Sequence, residues 1–205
     1  MAHILSVPGL YGSELQHWQS WIEHKLPGTI RVQQQDWDNP ILSVWSNQIL
    51  HYIDQLPGKV WIIAHSFGCL ASVYAAQQRP QRIAGAMLVA MADPASFNTQ
   101  GFMHREPYIT AIGSVSEQLP KTYLDFPSVV VASNNDPWMQ VAKAEQWADH
   151  WESRFINIGN AGHINVAAGF GAWPQGLEIF EQLRQAEYDY LQGALEEIPF
   201  SIAGY

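Results

Sequence analysis

Cysteine is almost missing from this chain. One, Cys69, stands among 205 residues, so no internal disulfide can form, and no Cys/His cluster or H-x-x-x-H pair accompanies it as a metal site would require. Positive charge is scarce as well. Ten Lys and Arg against 19 Asp and Glu leave a formal charge of −9, which repels a phosphate backbone and argues against a nucleic-acid partner. No apolar stretch reaches the roughly 18–20 residues that cross a bilayer, so no membrane partner is expected. The opening Met1-Ala2-His3-Ile4-Leu5-Ser6-Val7 runs straight into a strand pattern without a basic leader or cleavage signal. A cytoplasmic, reducing location is the expectation. Internal repeats and low-complexity segments are also missing, and nothing indicates an oligomeric state.

What the chain has is apolar content. Hydrophobic residues make up 47% and charged ones 14%, a composition suited to one packed domain at this length. Apolar runs at 3–7, 29–34, 60–64, 83–91, 128–133 and 154–158 are the expected strands. Several lack polar alternation, as strands covered on both faces do. Helical patterns lie between them. Ser13 with Gln16 reads as a capping box ahead of Leu15, Trp18, Trp21 and Ile22 on one face. Asn39-Pro40 reads as the start of a helix carrying Ile41, Val44, Trp45, Ile49, Tyr52, Ile53 and Leu56. Residues 67–79 are apolar nearly all round, the mark of a buried helix, and Pro174 opens a last long helix with Leu177, Phe180, Leu183 and Leu191. The alternation predicts an α/β fold, doubly wound, with about six mostly parallel strands and helices on both faces. Residues 92–127 are too few for a large lid and read as a small helical excursion over one rim. Residues 1–192 form one expected domain, and 193–205, without a clear period, stay unassigned.

The strongest local signal is Val60-Trp61-Ile62-Ile63-Ala64-His65-Ser66-Phe67-Gly68-Cys69-Leu70-Ala71. A buried strand ends, one residue turns, and a helix of small residues begins at once, which is the context of a nucleophile elbow. Small residues two before and two after the serine are a steric demand of so tight a turn, and Ala64 and Gly68 meet it. The backbone N–H of Phe67 then lies beside the Ser66 hydroxyl, aimed to stabilise an oxyanion. A second donor is expected from the loop after the first strand, Val7-Pro8-Gly9-Leu10-Tyr11-Gly12-Ser13, at Leu10 or Tyr11.

A serine hydroxyl needs a base, and the base an orienting acid. In this arrangement the acid and then the histidine follow the serine along the chain. Of the histidines after Ser66, His104 lies in the excursion and His150 beside Trp151 in a helix. His163 lies in the glycine-flanked loop Gly159-Asn160-Ala161-Gly162-His163-Ile164-Asn165 after the last strand, and is the expected base. Asp136, in Ser133-Asn134-Asn135-Asp136-Pro137 just past a strand end, is the expected acid; Asp93 in Ala92-Asp93-Pro94 is its rival. Asp136 also reads as an ordinary turn aspartate before proline.

Taken together, these motifs resemble a family of small serine hydrolases, the one grouped with eukaryotic retinoblastoma-binding protein nine and its bacterial YdeN-type relatives. The resemblance is carried by Val7-Pro8-Gly9-Leu10 with His17-Trp18, by Asp36-Trp37, by Ala64-His65-Ser66-Phe67-Gly68-Cys69, by Val131-Ala132-Ser133 with Asp136-Pro137, and by Gly162-His163-Ile164-Asn165 with Gly171-Ala172-Trp173-Pro174. It covers residues 1 to about 190 in the family's order. It implies a compact α/β-hydrolase core, no metal, no organic cofactor, and a triad of Ser66, Asp136 and His163. In that family Ala-His-Ser at the elbow is ordinary, and Asn134-Asn135 stands where relatives often carry an acidic residue.

Other residues invite more than they support. Trp18, Trp21, Trp45, Trp147 and Trp151 recur at helical spacing, as core residues do, while Trp173, close to His163 in sequence, is a candidate pocket wall. His65 is expected to pack or hydrogen-bond at the elbow. Asp36 and Asp38 look like paired catalytic carboxylates, yet alternate residues after a strand point to opposite sides, and a solvated loop suits them better. The expected function is hydrolysis of an ester, thioester or amide of a small acyl substrate through an acyl-serine, of carboxylesterase type. The competing expectation is a non-catalytic binding protein on the same fold.

Overall fold

The computed structural model describes residues 2–102 and 113–196, with side chains as far as residue 186. Its chain alternates as β1 (His3–Val7), α1 (Trp18–Lys25), β2 (Thr29–Arg31), α2 (Leu42–Gln55), β3 (Val60–His65), α3 (Phe67–Ala76) and β4 (Ile83–Val89). A short hairpin, β5 (Phe97–Asn98) with β6 (Gly101–Phe102), and a one-turn helix α4 (Val115–Gln118) come next. β7 (Ser128–Ala132), α5 (Val141–Trp151), β8 (Arg154–Asn157) and α6 (Pro174–Glu196) complete the order.

Six strands form one sheet in the order β2-β1-β3-β4-β7-β8, and every pairing within it is parallel. The unbroken apolar strands sit at its centre, because parallel strands are covered on both faces. On β3 the alternation divides cleanly. Val60, Ile62 and Ala64 enter one core cluster with residues of α2, α3 and α5, and Trp61 and Ile63 enter the other with residues of α1 and α6. Each of the Val and Ile side chains among them, taken out of water, contributes roughly 1.5–3 kcal/mol. Trp18, Trp45 and Trp151 are fully buried, and Trp21 and Trp147 pack against the two clusters. Among the described residues no helix is long and apolar enough to cross a membrane.

Several local expectations are corrected. Ser13 does not cap α1. His17 does, its Nδ1 accepting the Gln19 amide at 3.2 Å, while Ser13 Oγ donates to Gln19 Oε1 at 2.7 Å. Leu15, outside the helix, is 83% exposed instead of facing the core. α2 begins at Leu42 with Ile41 as its cap, because 39–41 closes as a turn in which the Ile41 amide meets the Asn39 carbonyl at 2.9 Å. The excursion at 92–127 is less helical than expected, since the hairpin and a 3-10 turn at Pro94–Ser96 occupy its first part. Within it, residues 103–112, including His104, lie outside the described residues, as does 197–205 of the tail. Residues 193–196 continue α6.

Candidate active site

β3 delivers Ser66 at its carboxyl end, and α3 starts on the next residue. Ser66 adopts φ 54° and ψ −127°, a positive-φ conformation that costs a non-glycine residue about 1–3 kcal/mol. Two bonds hold it there: its amide donates to the Val89 carbonyl at 3.0 Å, and its carbonyl accepts the Cys69 amide at 3.0 Å. Two glycines bring the loop after β1 against it. A Cβ on Gly68 would lie 2.4 Å from the Pro8 carbonyl oxygen, and one on Gly9 would lie 2.6 Å from Ser66 Cβ. Only hydrogen fits at either place.

That close approach bears on the oxyanion donors. Phe67 is the first residue of α3, and its amide points out of the helix start as an orphan donor. Of the two candidates in the β1 loop, Tyr11 is ruled out: its amide donates to the Trp37 carbonyl at 3.0 Å. Leu10 remains, and its amide has no acceptor among the described residues.

The His163 loop is tied from several sides, which explains how a glycine-rich segment holds one conformation. The Ala161 amide donates to Ser133 Oγ at 2.9 Å, and the Gly162 amide to Asn135 Oδ1 at 2.8 Å. Trp18 Nε1 donates to the Ile164 carbonyl at 2.8 Å. His65 Nε2 donates to the carbonyl of His163 itself at 2.9 Å. So held, His163 places Nε2 2.9 Å from Ser66 Oγ and Nδ1 at 2.9 and 3.0 Å from the two Asp136 carboxylate oxygens. The carboxylate accepts at Nδ1, so the proton sits there and Nε2 is left to accept the serine proton. Asp136 is itself fixed by the Trp138 amide, which donates to Oδ1 at 2.9 Å, and its side chain is only 2% exposed.

His163 is one of three imidazoles in a row, with His65 in the middle. His65 lies 4.9 Å, centroid to centroid, from both His17 and His163. Burial, with His163 and His17 beside it, holds the His65 imidazole well below the ordinary histidine range. Burial, then Arg31 and His163, brings His17 down to about 4. Both are therefore neutral at pH 7 and add no positive charge near His163.

Asp93 is engaged elsewhere, while His163 Nδ1 faces Asp136. Asp93 binds Lys143 Nζ at 2.5 Å and caps the 3-10 turn through the Ala95 amide at 3.0 Å. Trp173 is not a pocket wall: it is 4% exposed and packs on Trp18 and Phe170 in the core. An exposed aromatic ring does stand near His163: Trp138, 6.4 Å away and 52% exposed. Sequence reasoning passed over it, although an apolar ring two residues past the candidate acid was the available signal. Ser133 and Asn135 were also missed, since their partners lie on another loop. Asp36 and Asp38 are exposed, and the Asp38 amide donates to Asp36 Oδ1 at 2.9 Å. No group of three or more His, Cys, Asp or Glu placed to hold a metal occurs among the described residues.

A family model described as serine hydrolase matches residues 4–182. Among solved structures, a YdeN-like hydrolase from Pectobacterium atrosepticum is 34% identical; 91% of this chain and 92% of that one are covered, with a TM-score of 0.79. The ydeN gene product of B. subtilis is 17% identical over 89% of this chain and 98% of that one, with a TM-score of 0.71. Mouse alpha/beta hydrolase domain-containing protein 10 is 14% identical over 92% and 90%, at 0.64, and like the B. subtilis protein it shares the fold. No curated protein matches the chain.

Proposed function

The chain belongs to the serine hydrolase family, and from that membership we propose that it hydrolyses carboxylic esters of small or medium acyl groups, with Ser66 as nucleophile, His163 as general base and Asp136 as orienting acid. The reading rests chiefly on one observation: the 2.9 Å contact of Ser66 Oγ with His163 Nε2, backed by Asp136 on Nδ1.

The steps follow from those contacts. Ser66 Oγ attacks the acyl carbon as its proton passes to His163 Nε2, and the carbonyl oxygen becomes an oxyanion. The amides of Phe67 and Leu10 bind that charge; one such donor is worth about 10²–10³ in rate. The intermediate collapses as the carbon–oxygen bond to the alcohol breaks and the imidazolium gives its proton to the departing oxygen. Water then attacks the acyl-serine, losing a proton to Nε2, and the acid is released as Ser66 recovers its hydrogen. Asp136 keeps the imidazole in one tautomer and stabilises the imidazolium without taking the proton. Thioesters and amides would pass through the same steps.

Steady-state hydrolysis of ethyl acetate and ethyl butyrate tests this. Wild-type protein is expected to turn over at least one ester, and Ser66→Ala to lose about 10⁵ or more of kcat. Equal rates for the two proteins at the solvent background, together with no fluorophosphonate labelling of Ser66 in folded wild type, would leave a binding protein on a hydrolase fold instead.

A further inference from the structure

Trp138 is half exposed yet firmly held. Its amide is bound by Asp136 Oδ1 and its carbonyl accepts the Asp93 amide at 3.1 Å, so the backbone fixes the ring's root from both sides. The ring stands at the end of a continuous file of aromatics. Trp45 meets Phe67 at 5.3 Å, Phe67 meets Phe97 at 4.7 Å, Phe97 meets Phe102 at 5.3 Å, Phe102 meets Trp138 at 6.1 Å, and Trp138 meets His163 at 6.4 Å. Exposure grows along the file: Phe67 is fully buried, Phe97 4% exposed, Phe102 half-buried and Trp138 52% exposed. The file thus runs from the buried core past Phe67, next to Ser66 in sequence, to an open ring beside His163.

Chemistry says which part of a substrate meets that ring. The departing oxygen takes its proton from His163 Nε2, so the leaving group must lie against the imidazole, whereas the acyl oxygen is directed to the amides of Phe67 and Leu10. We propose that Trp138 forms the leaving-group subsite and selects esters of aromatic or bulky apolar alcohols, which stack on its exposed face. This deepens the serine hydrolase reading and depends on it.

The test separates the two ends of the ester. kcat/KM is measured for benzyl acetate against ethyl acetate, and for ethyl hexanoate against ethyl acetate, in wild type, Trp138→Ala and Trp138→Phe. Both backbone bonds of residue 138 survive the substitutions. Wild type should prefer benzyl acetate, and Trp138→Ala should lower that preference about fivefold, as expected for losing one aromatic pairing. Trp138→Phe should keep most of it, and the hexanoate preference should change by less than about twofold. An unchanged benzyl preference in Trp138→Ala, or an equal change in the acyl preference, would overturn the proposal. So would a wild type that shows no preference for benzyl acetate, or that cleaves none of these esters although a fluorophosphonate labels Ser66. Absence of labelling in folded wild type would instead mean that the serine hydrolase reading itself fails.

Discussion

At the scale of single residues, His163 is positioned as much through its backbone as through its ring. Asp136 fixes the His163 imidazole, and the His65 imidazole fixes the His163 carbonyl. His65 adjoins Ser66 in sequence, so one side chain ties the strand that leads to Ser66 to the loop that carries His163. His65→Phe removes that donor and leaves a buried carbonyl unpaired. A base displaced by about 1 Å loses about 10² in rate, so kcat should fall by about that factor while KM moves little, and His65→Gln, which keeps a donor, should recover part of the loss. A fall in KM affinity alone, with kcat intact, would contradict this role. Cys69 is a different matter. Burial pushes its thiol up, and its Sγ faces the Val89 carbonyl at 3.4 Å, so it offers no competing nucleophile at neutral pH.

At the scale of elements, the loop after β1 and the start of α3 touch at two glycines. Gly68→Ala would press a methyl to 2.4 Å from the Pro8 oxygen and 2.7 Å from that of Val7, and backbone cannot yield as a flexible side chain does. The two elements must part, which should cost about 2 kcal/mol and spoil the alignment of the Leu10 and Phe67 amides. Denaturant unfolding and kcat measured on the same preparation should both fall. Unchanged stability would refute the contact.

The central strands were legible because β3, β4 and β7 are unbroken apolar runs, and the elbow because its small residues adjoin a strand end. The strand-to-loop positions of Asp136 and His163 were legible for the same reason, and the structure brings their side chains within hydrogen-bond distance of one another. The remaining features depended on partners distant in sequence. Leu10 and Tyr11 cannot be told apart locally, since the Trp37 carbonyl decides between them. Ser13 has the look of a helix cap until Gln19 takes its hydroxyl. Strands as short as Phe97–Asn98 carry no alternation to read. Ser133 and Asn135 are ordinary turn residues until the His163 loop folds down onto them.

At the scale of the whole molecule, the α/β-hydrolase sheet collects three loops at its carboxyl edge and buries neutral histidines beneath them. That burial makes stability depend on pH. The unfolded chain binds protons on His17 and His65 near the ordinary histidine range, while the native state refuses them, His17 down to about 4. Between about pH 6.5 and 4 the unfolded state therefore holds more protons, and stability falls as pH falls. For His17 the loss from pH 7 to 4.5 is about 2 kcal/mol, with His65 acting in the same direction. Urea unfolding at the two pH values should show it, and His17→Asn, which keeps a helix-capping oxygen, should flatten the dependence. An equally steep dependence in that variant would show that His17 is not its source.

All of this turns on whether the hydroxyl of Ser66 is activated by the imidazole next to it. Intact-protein mass spectrometry after exposure to a fluorophosphonate reads that directly. The prediction is one phosphonyl adduct per folded chain, mapped to Ser66, absent from Ser66→Ala and formed far more slowly in His163→Ala. Folded wild-type protein that takes up no adduct, or takes it up at the same rate without His163, would contradict the account.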